Sequence, residues 1–232
     1  MKQLLVIIYI IVPFFVCSQE EKTKDSLLYN DPKYREDQFY TGITYNILQN
    51  NISGFSQQGF SGGLHLGVIR DIPFNKSRNI GVGIGLGYSN NSYNHNLLIQ
   101  ENEGGYDYEI LNSSSNYTKN KFNTHLIELP IQFRWRTSTA ESHKFWRIYT
   151  GVKLAYVFYH VARHRGEAGN FNLKNLSNFN KFQPSIDLGF GWNTWNFYAS
   201  YGFESFFDDT VTINGEKQRL NSLKIGLMFY VF

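Results

Sequence analysis

FWRIYTGVKLAYVFYH, residues 145–160, is apolar and aromatic enough to be deeply buried, yet it contains Arg147 and Lys153. Counted in twos, the run separates. Trp146, Ile148, Thr150, Val152, Leu154, Tyr156 and Phe158 share one parity, and Arg147, Tyr149, Gly151 and Lys153 share the other. A strand sends alternate side chains to opposite faces, so this strand has one greasy face and one charged face. The fold depends on which of the two meets water.

The same alternation recurs in about eight segments, near residues 38–48, 58–70, 79–92, 121–136, 145–160, 180–193, 194–206 and 220–232. In the third, Ile80, Val82, Ile84, Leu86 and Tyr88 alternate with Gly81, Gly83, Gly85 and Gly87. Glycine at every second position makes one bare strand face, whereas a nucleotide-binding loop would open a helix. Those bare positions leave room for long charged side chains opposite. In the fourth, Ile127, Leu129, Ile131, Phe133 and Trp135 stand against Glu128, Gln132, Arg134 and Arg136. Pro130 and Pro184 each remove a ladder donor, for which a bulge is the usual remedy.

Connection lengths alternate as well. DIPFNKSR, TSTAESHK and a tight turn at Asn193–Thr194 follow the second, fourth and sixth segments, and longer polar stretches follow the third, fifth and seventh. An up-and-down barrel in an outer membrane has this asymmetry, with short periplasmic turns and long external loops. Trp135, Trp146, Trp192 and Trp195 flank the two shortest turns on the apolar parity, as an aromatic girdle at one membrane depth would. From Trp146 to Tyr156, at a rise of about 3.3 Å per residue and a tilt of about 40°, the strand covers roughly 25 Å of the membrane normal. The greasy face therefore meets lipid and the charged face lines the lumen. The expected fold is all-β: an eight-stranded antiparallel up-and-down transmembrane barrel, with the amino terminus and Phe232 on the periplasmic side.

Composition agrees. The 232 residues are 17% aromatic and 18% charged, with 20 glycines, which describes a β-rich chain. A net charge of +3 is too small to suggest nucleic acid. MKQLLVIIYIIVPFFVCS, residues 1–18, reads as a secretory signal peptide, its apolar run shorter than the ~20 residues a spanning helix needs. Cys17 is a candidate for lipid modification, although Val16 stands where that chemistry wants a small residue. Cleavage before Gln19 would leave a mature chain without cysteine, removing disulfide and thiolate chemistry together. Residues 19–36 read as a charged periplasmic lead-in, and the barrel occupies 37–232.

LIELPIQFRWR (126–136), FWRIYTGVKLAYVF (145–158) and the closing LKIGLMFYVF (223–232) together resemble the PorT-like family of porin-like outer-membrane barrels. Ile127–Glu128–Leu129–Pro130–Ile131 stands where that family carries its L-E-(I/V)-P-(L/I) strand. The resemblance implies an eight-stranded barrel in Gram-negative bacteria that use type IX secretion. It brings no catalytic residues with it.

The ionisable side chains on the lumen parity are His65, Glu128, Arg134, Arg136, Arg147, Lys153, Asp187, Glu204 and Lys224. An eight-stranded lumen is only wide enough to be filled by side chains, so these must pair into a structural ionic network. His160 and His164 read as surface basicity where a strand passes into a loop, and Asp208 and Asp209 do not make a calcium cage. No catalytic, cofactor or metal set is expected. The expected partners are outer-membrane lipid, the barrel-assembly machinery, and secretion-system proteins reached through external loops 92–118, 161–179 and 207–219 or through periplasmic turns. Two other readings stay open: a rim-bound outer-membrane lipid hydrolase or protease, and a secreted soluble barrel with its aromatics turned inward around an apolar ligand.

Overall fold

The computed structural model describes residues 37–50, 52–112, 114–137, 146–192, 195–213, 216–217 and 219–231. The leader, the lead-in, most of TSTAESHK, the Asn193–Thr194 turn and Phe232 lie outside the described residues.

Among the described residues thirteen strands follow in chain order: β1 (Asp37–Asn50), β2 (Gly62–Pro73), β3 (Ile80–Asn94), β4 (Leu97–Asn102), β5 (Gly105–Ile110), β6 (Tyr117–Arg136), β7 (Trp146–Gly166), β8 (Gly169–Lys174), β9 (Ser185–Trp192), β10 (Trp195–Gly202), β11 (Thr212–Ile213), β12 (Glu216–Lys217) and β13 (Leu220–Val231). Eight of them close on themselves, in the order β1-β2-β3-β6-β7-β9-β10-β13, with β13 returning to β1. Every pairing is antiparallel. The closed antiparallel barrel is thus the one the alternation predicts, and it leaves no open sheet edge around the circuit.

One end, here the turn end, carries the short β2–β3, β6–β7 and β9–β10 connections. The other, the loop end, is more structured than a set of polar loops. Residues 92–118 contain the β4–β5 hairpin, 161–179 contain β8 paired with the end of β7, and 207–219 contain the small β11–β12 pair. β6 and β7 themselves run on past the rest of the wall, pairing from Arg136↔Arg147 to Tyr117↔Gly166.

Outward positions are apolar around the barrel. Phe39, Leu66, Leu86, Ile127, Val152, Leu188, Phe197 and Ile225 are all exposed, one from each barrel strand. On β7 the outward run from Trp146 to Phe158 covers about 30 Å of the normal, enough for an apolar band of about 25 Å with its flanking aromatics. The indoles point outward, so the arrangement with aromatics turned into a ligand cavity is not the one this chain adopts.

Both proline expectations are corrected. Opposite Leu129 and Pro130 the β3–β6 ladder skips two positions and resumes in the same register at Gly87↔Glu128. The missing donor is accommodated by a gap, because an unshifted register keeps Glu128 and Arg134 on the inner face. Pro184 precedes β9 and costs it no ladder bond. Register shifts do form elsewhere in the β6–β7 ladder, one between Tyr117 and Lys119 and one where β6 passes from His125↔Tyr159 to Leu126↔Val157 and leaves Phe158 unpaired.

Candidate functional site

The lumen is filled in two zones. The zone toward the turn end is polar, and all eight barrel strands contribute to it. Glu128 on β6 lies at its centre, 3.4 Å from His65 Nδ1 on β2 and 3.6 Å from Lys153 Nζ on β7. Lys153 is also 3.3 Å from Asp187 on β9 and donates to the Tyr198 hydroxyl on β10 at 2.6 Å, which in turn donates to Asp187 at 2.7 Å. Lys224 on β13, buried, lies in register between Asn46 and Ser200.

A circuit of hydrogen bonds returns to the same carboxylate. Ser89 donates to Glu128 (2.7 Å), Asn91 to Ser89 (3.1 Å), Asn46 to Asn91 (3.2 Å) and Thr44 to Asn46 (2.8 Å). Thr44 Oγ1 meets His65 Nε2 at 3.2 Å, and the other ring nitrogen faces Glu128. The Thr44 proton goes to Asn46, and the two ring nitrogens of His65 link the ends of the circuit at Thr44 and Glu128. Such closure lets three ionisable groups stay buried at 3% exposure or less, since each charge has an opposite charge and hydrogen bonds within reach.

Nearer the turn end, Arg136 pairs with Asp71, and its Nε donates to the Arg78 carbonyl at 2.7 Å. Arg134 donates to Gln38 at 3.1 Å, with its guanidinium 4.0 Å from the Tyr149 ring centroid and 5.2 Å from that of Tyr230. The aromatic faces supply the negative potential that a carboxylate would otherwise provide. The glycine stripe of β3 makes room for these groups. A Cβ at Gly83 would lie 2.8 Å from Arg134 Cδ, and one at Gly87 would collide with the Tyr40 hydroxyl. A void of about 10 Å³, no more than about one water, lies between the two layers.

Of the predicted lumen set, His65, Glu128, Arg134, Arg136, Arg147, Lys153, Asp187 and Lys224 are all buried inside the barrel. Glu204 is not. β10 ends at Gly202, the chain turns as Phe203 N–H donates to the Pro184 carbonyl, and Glu204 faces solvent. Asp71 escaped the sequence reading because it was assigned to the DIPFNKSR turn, although β2 continues through it to Pro73. Tyr198 stands outside the predicted lumen set, which holds only acids, bases and histidine. Its shared parity with Ser200 was the available signal.

The zone toward the loop end is apolar. Leu48, Tyr93, Phe122, Leu126, Ala155 and Val157 project inward from the wall, and Leu97, Ile99, Leu176, Phe179, Phe206, Phe207, Val211 and Ile213 fold in from the loops to meet them. Phe122 stacks edge-on with Phe206 at 5.1 Å and with Phe179 at 6.1 Å. His160 and His164 are buried here, correcting their reading as surface groups. The Phe158 bulge shifts the phase of β7, so even-numbered residues turn inward beyond it. His160 stacks on Phe179 at 4.0 Å, and His164 meets Asn120 at 3.1 Å. His95, beyond the end of β3, is sealed between Phe55 and Phe122, and burial pulls its imidazole down from 6.5 to about 3.

On the outer wall the four tryptophans lie on four successive barrel strands, β6, β7, β9 and β10. Trp146 and Trp192 are 4.9 Å apart, and Trp192 is in register with Trp195. They form an arc, and Phe39, Phe74 and Phe229 occupy the rest of that rim. A second aromatic cluster, Tyr88, His125, Phe158 and Tyr159, marks the loop-end edge of the apolar band.

A closed antiparallel sheet with a hydrocarbon-compatible exterior and its ions sequestered inside defines an integral β-barrel of the kind that outer membranes hold. The chain belongs to the outer membrane protein β-barrel domain family, whose model matches residues 18–208. Among solved structures it is similar to Ail, the attachment invasion locus protein of Yersinia pestis. Two such structures, one in complex with the heparin analogue sucrose octasulfate, are each 12% identical over 84% of this chain and 99% of that chain, with TM-scores of 0.39 and 0.36. No curated protein matches the chain.

Proposed function

We propose that this outer-membrane barrel is a non-conducting, non-enzymatic scaffold that holds its loop-end hairpins at the cell surface for contact with other components. One observation carries the reading: side chains occupy the lumen in two zones, the ionic circuit toward one end and the aromatic plug toward the other, with a void of about 10 Å³ beside Glu128 and Lys153. A diffusion pore needs a continuous aqueous path, which this packing opposes. The termini then face the periplasm, as the short turns at that end support. The PorT-like resemblance of residues 126–136 supports a place in type IX secretion or surface assembly, with secretion-system proteins as the partners.

Planar-bilayer recordings of the refolded protein test this directly. The expected result is no unitary conductance steps for the intact chain, and regular steps would overturn the reading. Cross-linking from the 92–118 hairpin in intact cells should then capture secretion-system proteins. Capture of none, with secretion unchanged in a deletion strain, would remove the type IX assignment and leave the scaffold reading to stand on its own.

A further inference from the structure

Cations sit opposite cations on the outer wall of the β6–β7 extension. Lys119 is in register with Arg165, and Lys121 with Arg163. Like charges directly opposite on neighbouring strands are destabilising, and here two such pairs follow one another on the same face. The lumen contains a similar juxtaposition, Arg136↔Arg147, but Asp71 stands beside Arg136 there. Outside, no carboxylate among the described residues forms an ion pair with any of the four. Lys121 has only the Ser92 hydroxyl, at 3.4 Å. Acids at this end stand apart from the four: Glu101, Glu103, Asp107 and Glu109 on the β4–β5 hairpin, Glu204, Asp208 and Asp209 after β10, and Glu167 in the β7–β8 turn, where it accepts from Asn116 at 2.9 Å.

The four cations border a depression and a boundary. Lys119 and Arg165 line a cleft of about 560 Å³, together with Gln58, Phe60, Tyr117 and Asn120, and the lining includes no acid. Phe60, 76% exposed at its lip, packs at 5.9 Å against outward-facing Tyr45. Lys121 lies four residues along β6 from His125, in the aromatic cluster that ends the apolar band, or about 10 Å along the normal. Long cationic side chains bridge much of that height by snorkelling. Cations just above a hydrocarbon band, beside an exposed aromatic, match a lipid whose headgroup carries phosphate and whose chains lie against the wall.

We propose that Lys119, Lys121, Arg163 and Arg165 form a binding site for the phosphate groups of an outer-leaflet glycolipid. The proposal rests on the membrane-embedded reading, with the loop end outward. The lipid anion neutralises the facing cation pairs and fixes the β6–β7 extension at the membrane surface. Mutual repulsion among the four cations supports this, since burial first and then the charges of Lys119 and Arg163 pull the Lys121 ammonium below its ordinary value.

The test uses the full mature chain refolded in uncharged detergent, with native mass spectrometry and titration against bisphosphorylated lipid A and against the same lipid with both phosphates removed. Loss of the phosphates should weaken binding at least tenfold, and raised salt should weaken binding of the phosphorylated form. The quadruple variant Lys119→Gln/Lys121→Gln/Arg163→Gln/Arg165→Gln should lose the same factor while keeping heat-modifiable migration and insertion into vesicles. Arg70→Gln/Lys76→Gln, at the turn end, should bind as wild type. Equal binding of the two lipids, or a quadruple variant that binds normally, would overturn the proposal. So would tighter binding of soluble dextran sulfate than of lipid A, which would assign the patch to a polysaccharide partner. Failure of the wild-type protein to insert into vesicles would count against the membrane reading instead, and so separates the two.

Discussion

The two halves of the lumen solve one problem in opposite ways. Toward the turn end the wall is surrounded by an apolar band, and the interior holds its central charges by pairing them, as Lys153 lies between Glu128 and Asp187. Toward the loop end the wall rises past that band. There β6 turns Lys119, Lys121 and His125 outward and Phe122 and Leu126 inward, which is the pattern of a water-soluble barrel. A single strand therefore changes its inside from polar to apolar as its outside changes from apolar to polar. What the lumen contains is set by which solvent lies outside the wall.

Removing the central anion should separate the halves most sharply. Glu128→Ala leaves Lys153 and His65 without the carboxylate between them, and loss of one partner from a buried pair costs about 3–5 kcal/mol. Urea unfolding in lipid vesicles, followed by heat-modifiability on gels, should show that loss. An unchanged midpoint would mean that the polar half does not hold the barrel together.

Phe122→Ala should cost about 3 kcal/mol in the other half, through a cavity beneath Phe179 and Phe206. The expected signature differs: faster proteolysis in residues 92–118 and 161–179, with the heat-modifiable core intact. If both variants lose the core equally, the halves unfold as one unit and the contrast between them is only compositional.

Gly87→Ala tests the bare face of β3. The added methyl meets the Tyr40 hydroxyl, and overpacking of this kind costs about 1–3 kcal/mol. Combining it with Tyr40→Phe should recover part of the loss, and a double-mutant cycle measures the coupling. Strict additivity would show that the glycine serves something other than that ring.

Acid acts on the loop-end half. His95 is neutral in the folded loop-end half and titrates near 3, whereas in the unfolded chain it titrates near 6.5. Below about 6.5 the unfolded state binds the additional proton, so this contribution to stability is complete above that value. It is lost as pH falls toward 3, at up to about 1.4 kcal/mol per pH unit. Loop-end proteolysis rates measured across that window should rise as pH falls, and His95→Gln should flatten the rise.

Much of this was legible in residues 126–136 and 145–158, where the alternation is unbroken and every charged residue of a segment keeps one parity. His160 was not legible. Its side is decided by one unpaired residue, Phe158, and no local feature of YVFYHVA announces the shift. Glu204 kept its parity on paper, but its strand had already ended when the Pro184 carbonyl took the Phe203 N–H. The apolar plug was hidden for a different reason. Leu97, Leu176, Phe179, Phe206 and Val211 stand alone or in runs of two or three within stretches otherwise rich in Asn, Ser and Asp, and without long-range contacts such residues look incidental.

A period of two suffices to specify strands, their faces and a closed antiparallel circuit, because side-chain alternation is a property of the extended backbone and needs no partner to be seen. Which side chains meet across the lumen is another matter. Glu128 finds Ser89, His65 and Lys153 only through the register of three neighbouring strands, and Phe122 meets Phe206 from 84 positions away in the chain. Those encounters arise from closure itself, since distances across a barrel do not exist until the sheet has curved round to meet its own edge.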